Sequence, residues 1–200
     1  MTSSTAAPST TASAAPSAVA SEAPLPSTWE RVPDIEYVPT PQNVVDKMLE
    51  VAKIQKTDVL YDLGCGDGRI PITAAKKFGI KAVGFDIDPV RVKESRANVK
   101  KAGVENLVTI ELKDIFNVDL TPATVVTLYL LPELNVKLIP QLDKLAKGSR
   151  VITHDFDMAG VEPVNTWTIM APHHRPPYKD REHYVYLFNV PLKKVAAKSK

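Results

Sequence analysis

Hydrophobic positions along this chain form two kinds of run that take turns. Val44, Val45, Met48, Leu49 and Ala52 recur at helical spacing, which predicts an amphipathic helix ending near Ile54. Thr40 reads as its N-cap and Pro41 as its first helical residue. A short apolar run, Thr57 to Asp62, then predicts a strand, and Ile70 to Phe78 a helix closed by Gly79. Lys81 to Asp86 is the next strand. Asp88 and Pro89 cap and start a helix that runs to about Lys101 and stops at Gly103. Leu107 to Leu112 follows as a third strand. Thr124 to Leu131 is apolar through most of its length, as a strand buried on both faces should be. Asn135 to Ala146 reads as a helix broken at Pro140, and Arg150 to His154 as a fifth strand. This alternation predicts an α/β fold with a parallel sheet and helices on both faces. The pattern then changes. Asn165 to Met170 and His183 to Val190 are β-rich with no helix between them, and Ala171 to Arg181 joins them as a polar loop. They read as an antiparallel pair closing the sheet edge.

Composition adds boundaries. Residues 1–28, largely Ala, Ser, Thr and Pro, have little to bury and read as a disordered tail. Residues 29–192 read as one domain, and 193–200 as a basic, solvated C-terminal tail. The N-terminal tail lacks both the apolar core of a secretory signal and the arginines of a transit peptide. The expected location is therefore cytoplasmic, with export open if a signal sequence precedes the tail. Apolar content of 44% and charged content of 24% are those of a soluble globular protein. A net charge of +2 is too small to argue for nucleic acid or an acidic membrane surface. Cys65 is the single cysteine, which excludes an internal disulfide and a cysteine-based zinc site. It reads as a small buried filler.

The chemistry concentrates between Val59 and Ile70, where a strand opens into Gly64, Gly66 and Gly68 before a helix. Glycines at alternate positions let backbone approach a ligand closely, and strand, loop and helix N-terminus make a nucleotide-binding corner. The spacing is G-x-G-x-G, flanked by Asp62 and Asp67. Two carboxylates repel a pyrophosphate and attract a cationic, hydroxyl-rich ligand, which disfavours a nicotinamide dehydrogenase. Asp86, at the end of the second strand, stands where a carboxylate takes ribose hydroxyls; the alternative is a turn aspartate, the role read for Asp88. Asp114, followed by Ile115 and Phe116, can accept from an adenine amino group while the apolar pair packs on the ring, or can be a turn residue. Tyr129 and Glu133 stand around the end of the fourth strand, where an acceptor amine would arrive. A tyrosine wall can guide an alkyl chain and a carboxylate can attract an ammonium; the alternatives are core packing and a helix cap. His154, His173, His174 and His183 lie near Asp155 and Asp157, but no pair has the spacing of H-E-x-x-H, so no metal is expected.

Gly64, Gly66 and Gly68, with Asp86, Asp114 and the terminal β-pair, resemble the class I S-adenosylmethionine-dependent methyltransferases over roughly Ile35 to Val190. The resemblance implies a Rossmann-like, mostly parallel seven-stranded sheet with an antiparallel terminal strand pair. It implies S-adenosyl-L-methionine as cofactor, bound by Tyr37, Thr40, Asp62, Gly64, Gly66, Gly68, Asp86, Ile87, Asp114 and Ile115. Taken alone, Tyr37 and Thr40 read as an anchor and a cap. Four stretches are similar, in order, to archaeal broad-specificity protein-lysine methyltransferases and their mitochondrial relatives: Tyr37 to Pro41, Tyr61 to Ile70, Ala123 to Leu131 and Gly148 to Phe156. That implies transfer of methyl to lysine ε-amines of a protein substrate, with Tyr37 and Thr40 helping to enclose the cofactor. The chain after Asp157 departs from that pattern. Where base-amine methyltransferases carry an Asn/Asp-Pro-Pro-Tyr tetrapeptide, this chain has Leu128-Tyr129-Leu130-Leu131-Pro132-Glu133, which argues against base methylation. Two other readings stay open: a small-molecule or other acceptor, and a non-catalytic S-adenosylmethionine-binding module.

Overall fold

The computed structural model describes residues 32–173 and 177–195. The tail expected over 1–28 lies outside the described residues. Helix α1 is Gln42–Val51, followed by β1 Val59–Leu63, α2 Arg69–Phe78, β2 Lys81–Asp86, α3 Pro89–Ala102 and β3 Val108–Leu112. A short 3-10 turn, Ile115–Asn117, precedes β4 Val125–Leu128, α4 Pro132–Leu142, β5 Arg150–His154, β6 Asn165–Ala171 and β7 Arg181–Asn189.

The seven strands form one sheet in the order β3-β2-β1-β4-β5-β7-β6. The first five are parallel, and β7 runs antiparallel to both β5 and β6. All four residues of β4 are buried, as a central strand covered on both faces requires. One apolar cluster joins α1, α2 and α3 to one face of the sheet, through Val45, Met48, Ala74 and Val92. The other joins α4 to the opposite face through Leu138, Leu142, Leu128 and Phe188.

Three expectations are corrected. Thr40 does not cap α1: Pro41 is the N-cap, with no side-chain bond, and the Thr40 hydroxyl turns to His154 instead. The fourth helix begins at Pro132 and continues through Pro140. Residue 140 takes its missing amide close to the end of the helix, where little ladder remains to break. Lys193 and Lys194 keep solvent-exposed side chains, as expected of a tail, but their backbone is tied to the domain. Glu162 N donates to Lys193 O at 2.9 Å, Val195 N to Gly160 O at 2.9 Å, and Lys194 Nζ reaches Asp143. The domain therefore extends at least to Val195, and 196–200 lie outside the described residues.

Register decides where the site falls. Leu63 pairs with both Phe85 and Leu128, and Leu128 pairs with Thr153. Strands β2, β1, β4 and β5 thus run out at one level. Chain order reverses between β1 and β4, the switch point where open α/β sheets bind ligands.

Candidate active site

A cavity of about 540 Å³ opens at that edge, a size that encloses a small organic molecule. Its floor is Asp62, Gly64 and Cys65 at the end of β1, with Asp86, Ile87 and Asp88 at the end of β2 and Asp114 and Ile115 after β3. Tyr129, Leu130 and Leu131 follow β4, Phe156 follows β5, and the extended segment Pro33 to Thr40 crosses over the whole. Of the residues expected at a site, Tyr37, Thr40, Asp62, Gly64, Asp86, Ile87, Asp114, Ile115 and Tyr129 come together on this one wall.

Gly66, Gly68 and Glu133 do not. A Cβ at Gly66 would fall 2.2 Å from Cε2 of Tyr37, so this glycine makes room for the tyrosine ring. Gly68, at φ +81°, is the N-cap of α2, and a Cβ there would meet Ser95 of α3 at 3.1 Å; it serves helix packing. Glu133 sits exposed in the first turn of α4, where a carboxylate suits the helix N-terminus. Cys65 is the buried filler expected, its sulfur lying where a side chain at Gly84 would be, and burial pushes its thiol up.

The wall carries seven carboxylates, Asp34, Glu36, Asp62, Asp67, Asp86, Asp88 and Asp114, and two guanidiniums, Arg69 and Arg91. Asp62 is wholly buried at the end of β1, and its Oδ1 accepts from Thr127 Oγ1 at 2.7 Å. Burial pushes its carboxyl up to about 7, helped by the charges of Asp86 and Asp67 and opposed by that hydrogen bond. Asp86 Oδ2 accepts from Gly66 N at 2.8 Å and Oδ1 from Asp88 N at 2.9 Å. Burial raises this carboxyl against the pull of those amides. The carboxylate also lines the cavity, where it can accept from a diol.

Asp67, expected as a partner for a cation, is already taken. Its carboxylate accepts from Arg69 Nε at 2.9 Å and from the terminal guanidinium nitrogen at 2.6 Å. Burial would raise it, but Arg69 outweighs burial and holds it below the usual carboxylate range. Arg69 also donates to Thr40 O at 2.7 Å, so the guanidinium pins the crossing segment to the glycine loop. Tyr37 is held there from above by Arg91, 4.9 Å from its ring centroid. The Tyr37 hydroxyl is pushed up to about 12, by burial first and then by Asp67. Sequence reasoning misses both arginines; an arginine two residues past an acidic residue in a tight loop is the only local signal for Arg69, and Arg91 has none.

The far end of the cavity differs in chemistry. Tyr129 and Phe156 lie with ring centroids 6.3 Å apart and planes 20° apart. Phe156 is placed by its carbonyl, which accepts from Thr153 Oγ1 at 2.5 Å and Asn135 Nδ2 at 3.3 Å. Behind Tyr129 lies a buried polar cluster. Thr40 Oγ1 is 3.2 Å from His154 Nδ1, and His154 Nε2 is 2.8 Å from His183 Nδ1. Asp155 Oδ2 lies 3.4 Å from the first ring and 3.3 Å from the second, pairs with Arg181, and accepts from the Tyr129 hydroxyl at 3.3 Å.

Sequence spacing hides this cluster, because β5 and β7 bring its histidines together from 29 residues apart. His154, Asp155 and His183 offer the donor types of a divalent metal site, with their ligand atoms all within 4.8 Å of one another. Arg181, paired with the same Asp155 oxygen, opposes a cation there. Burial pushes His154 down to about 3 and lowers His183, which favours the neutral rings that a 2.8 Å ring-nitrogen contact between them requires of at least one.

The family described as the ANTKMT methyltransferase domain matches residues 62–165. A protein-lysine N-methyltransferase of Saccharolobus islandicus is 50% identical over 134 residues, 66% of this chain and 83% of that one. The adenine nucleotide translocase lysine N-methyltransferase of Mus musculus is 30% identical over 141 residues, 68% of this chain, and the match spans 61% of that protein's length. A solved structure described as an RNA methyltransferase from Salinibacter ruber in complex with S-adenosyl-L-homocysteine is 45% identical, with a TM-score of 0.69. The match covers 81% of this chain and 98% of that one.

Proposed function

The chain belongs to the ANTKMT methyltransferase domain family, and from that premise we propose that this S-adenosylmethionine-dependent methyltransferase acts on lysine ε-amines of proteins. The observation that carries the acceptor assignment is the charge of the cavity wall: with Asp67 paired to Arg69 and Asp62 raised to about 7, five further carboxylates stand against one guanidinium, Arg91, in a chain of net charge +2. Such a wall concentrates cations and repels a phosphate backbone.

The residues present suit S-adenosylmethionine. Asp86 would take the ribose diol, Asp114 with Ile87 and Ile115 would hold the base, and Asp62 would lie toward the cationic amino-acid end, with Tyr37 and Thr40 above them. When bound, the cofactor supplies a methyl group on an already reactive sulfonium, so the protein chiefly aligns and desolvates the acceptor. Tyr129, Phe156, Leu131 and Leu134 line the end where the amine enters. Lysine must first lose a proton from an ammonium of pKa about 10.4, and burial among these side chains favours the neutral amine.

The Salinibacter relative's description supplies a second reading, methylation of RNA. One assay separates them. The protein is incubated with methyl-labelled S-adenosylmethionine and, in parallel, an unstructured lysine-rich protein, mixed transfer RNA, or free polyamines. We expect protease-sensitive, nuclease-resistant label that maps to lysine ε-nitrogen by mass spectrometry. Label released by nuclease, or found only on polyamine, would overturn the lysine assignment.

A further inference from the structure

Behind Tyr129 the fold gathers a cluster of polar side chains, of which only Thr40 and Tyr129 line the cavity. Its members come from four separate places: Thr40 before α1, His154 and Asp155 at the end of β5, Arg181 and His183 in β7, and Tyr129 after β4. His154 and His183 are almost fully buried. Stability alone is a weak explanation of such a set, because Arg181 is partly exposed and ion pairs open to solvent contribute little. Asp155 also adopts φ +60°, a left-handed backbone that few residues other than glycine take and that concentrates at functional sites.

What the cluster does to its neighbours is specific. Asp155 Oδ1 accepts from Tyr184 N at 3.1 Å, which anchors the carboxylate to β7. Oδ2 then receives the guanidinium of Arg181 and the hydroxyl of Tyr129. The ring of His154 lies against the Tyr129 ring, centroids 3.9 Å apart. One residue thus meets a stop at its hydroxyl and a floor under its ring.

We propose that Asp155, clamped by Arg181 and flanked by His154 and His183, is a positioning residue that fixes Tyr129 as the wall of the acceptor end. This rests on the reading of that end as the entrance for a lysine amine. Asp155 touches neither acceptor nor cofactor, and acts through the tyrosine hydroxyl.

The test is a double-mutant cycle with Tyr129→Phe and Asp155→Asn, run on the lysine-rich protein acceptor. Each single change should lower kcat about tenfold, and Asp155→Asn in the Tyr129→Phe background should cost at most about twofold more. Affinity for S-adenosylhomocysteine, by calorimetry, should stay within about twofold in every variant. Independent, multiplying losses would overturn the proposal, since a general structural role does not need the hydroxyl. Arg181→Gln covers the case in which Asp155→Asn does not fold, because Arg181 is partly exposed; its loss of kcat should also vanish in the Tyr129→Phe background. If the wild-type protein does not methylate lysine, the functional reading fails while the positioning is still decided by NMR of protein labelled with 13Cζ-tyrosine. The resonance that disappears in Tyr129→Phe should move in Asp155→Asn or Arg181→Gln. No movement refutes the positioning whatever the acceptor is.

Discussion

At the scale of single residues, two carboxylates of the cavity floor do different work because their surroundings differ. Asp86 holds the glycine loop through Gly66 N and the next turn through Asp88 N while also lining the cavity. Asp86→Ala should weaken S-adenosylhomocysteine binding by about 1.5–3 kcal/mol, measured by calorimetry, and an unchanged affinity would refute the ribose role. Asp62 is set apart by burial, which lifts it to about 7. In the unfolded chain the same group titrates at about 3.9. Between about 4 and 7 the folded protein therefore holds a proton that the unfolded chain has released, and stability falls as pH rises through that window. Melting temperatures of the ligand-free protein should decline across it, and Asp62→Asn should flatten the slope. The same slope in both proteins would place the titrating group elsewhere.

At the scale of elements, the crossing segment from Pro33 to Thr40 and the glycine loop form one unit. Tyr37 lies on Gly66, and Arg69 ties Thr40 to the loop. Gly66→Ala should push Tyr37 off and strain a residue at φ +54°, costing about 1–3 kcal/mol of stability together with a clear loss of cofactor affinity. Thermal melting and calorimetry read the two effects separately. The unit also shows what the sequence can disclose. β2 and β5 begin and end where the apolar pattern puts them, and the acidic residues expected at the ends of β1, β2 and β3 share one wall, since both follow from local period and strand-end position. Thr40 misleads because a threonine before a proline is a good cap by local rules, and only the fold reveals His154, 114 residues away, as its partner. The Asp155 cluster is invisible for the same reason. Its contacts are made by the antiparallel return of β7, and nothing in the spacing of His154 and His183 encodes that pairing. Glu133 misleads in the other direction, because a helix first turn accounts for it fully.

At the scale of the whole molecule, charge and proton balance set how the enzyme should respond to its medium. If the acceptor is a lysine amine, the rate should rise with pH from neutral into the alkaline range as the free amine is populated. A flat profile, or one peaking below neutral, would sink that assignment. The carboxylate-rich wall adds a salt signature. KM for a lysine-rich acceptor should increase between low and physiological ionic strength as the attraction is screened, in a steady-state series with constant cofactor. The topology carries a consequence of another kind. Every carboxylate of the cavity floor lies before residue 115, whereas Arg181 and His183, which fasten Asp155, belong to β7. That strand inserts between β5 and β6. During synthesis the ribosome therefore delivers the donor half long before the clamp on Tyr129, so a nascent chain has its cofactor residues well before it can hold an acceptor in register. If the clamp acts as proposed, the acceptor end is completed only when the last strand of the sheet has been made.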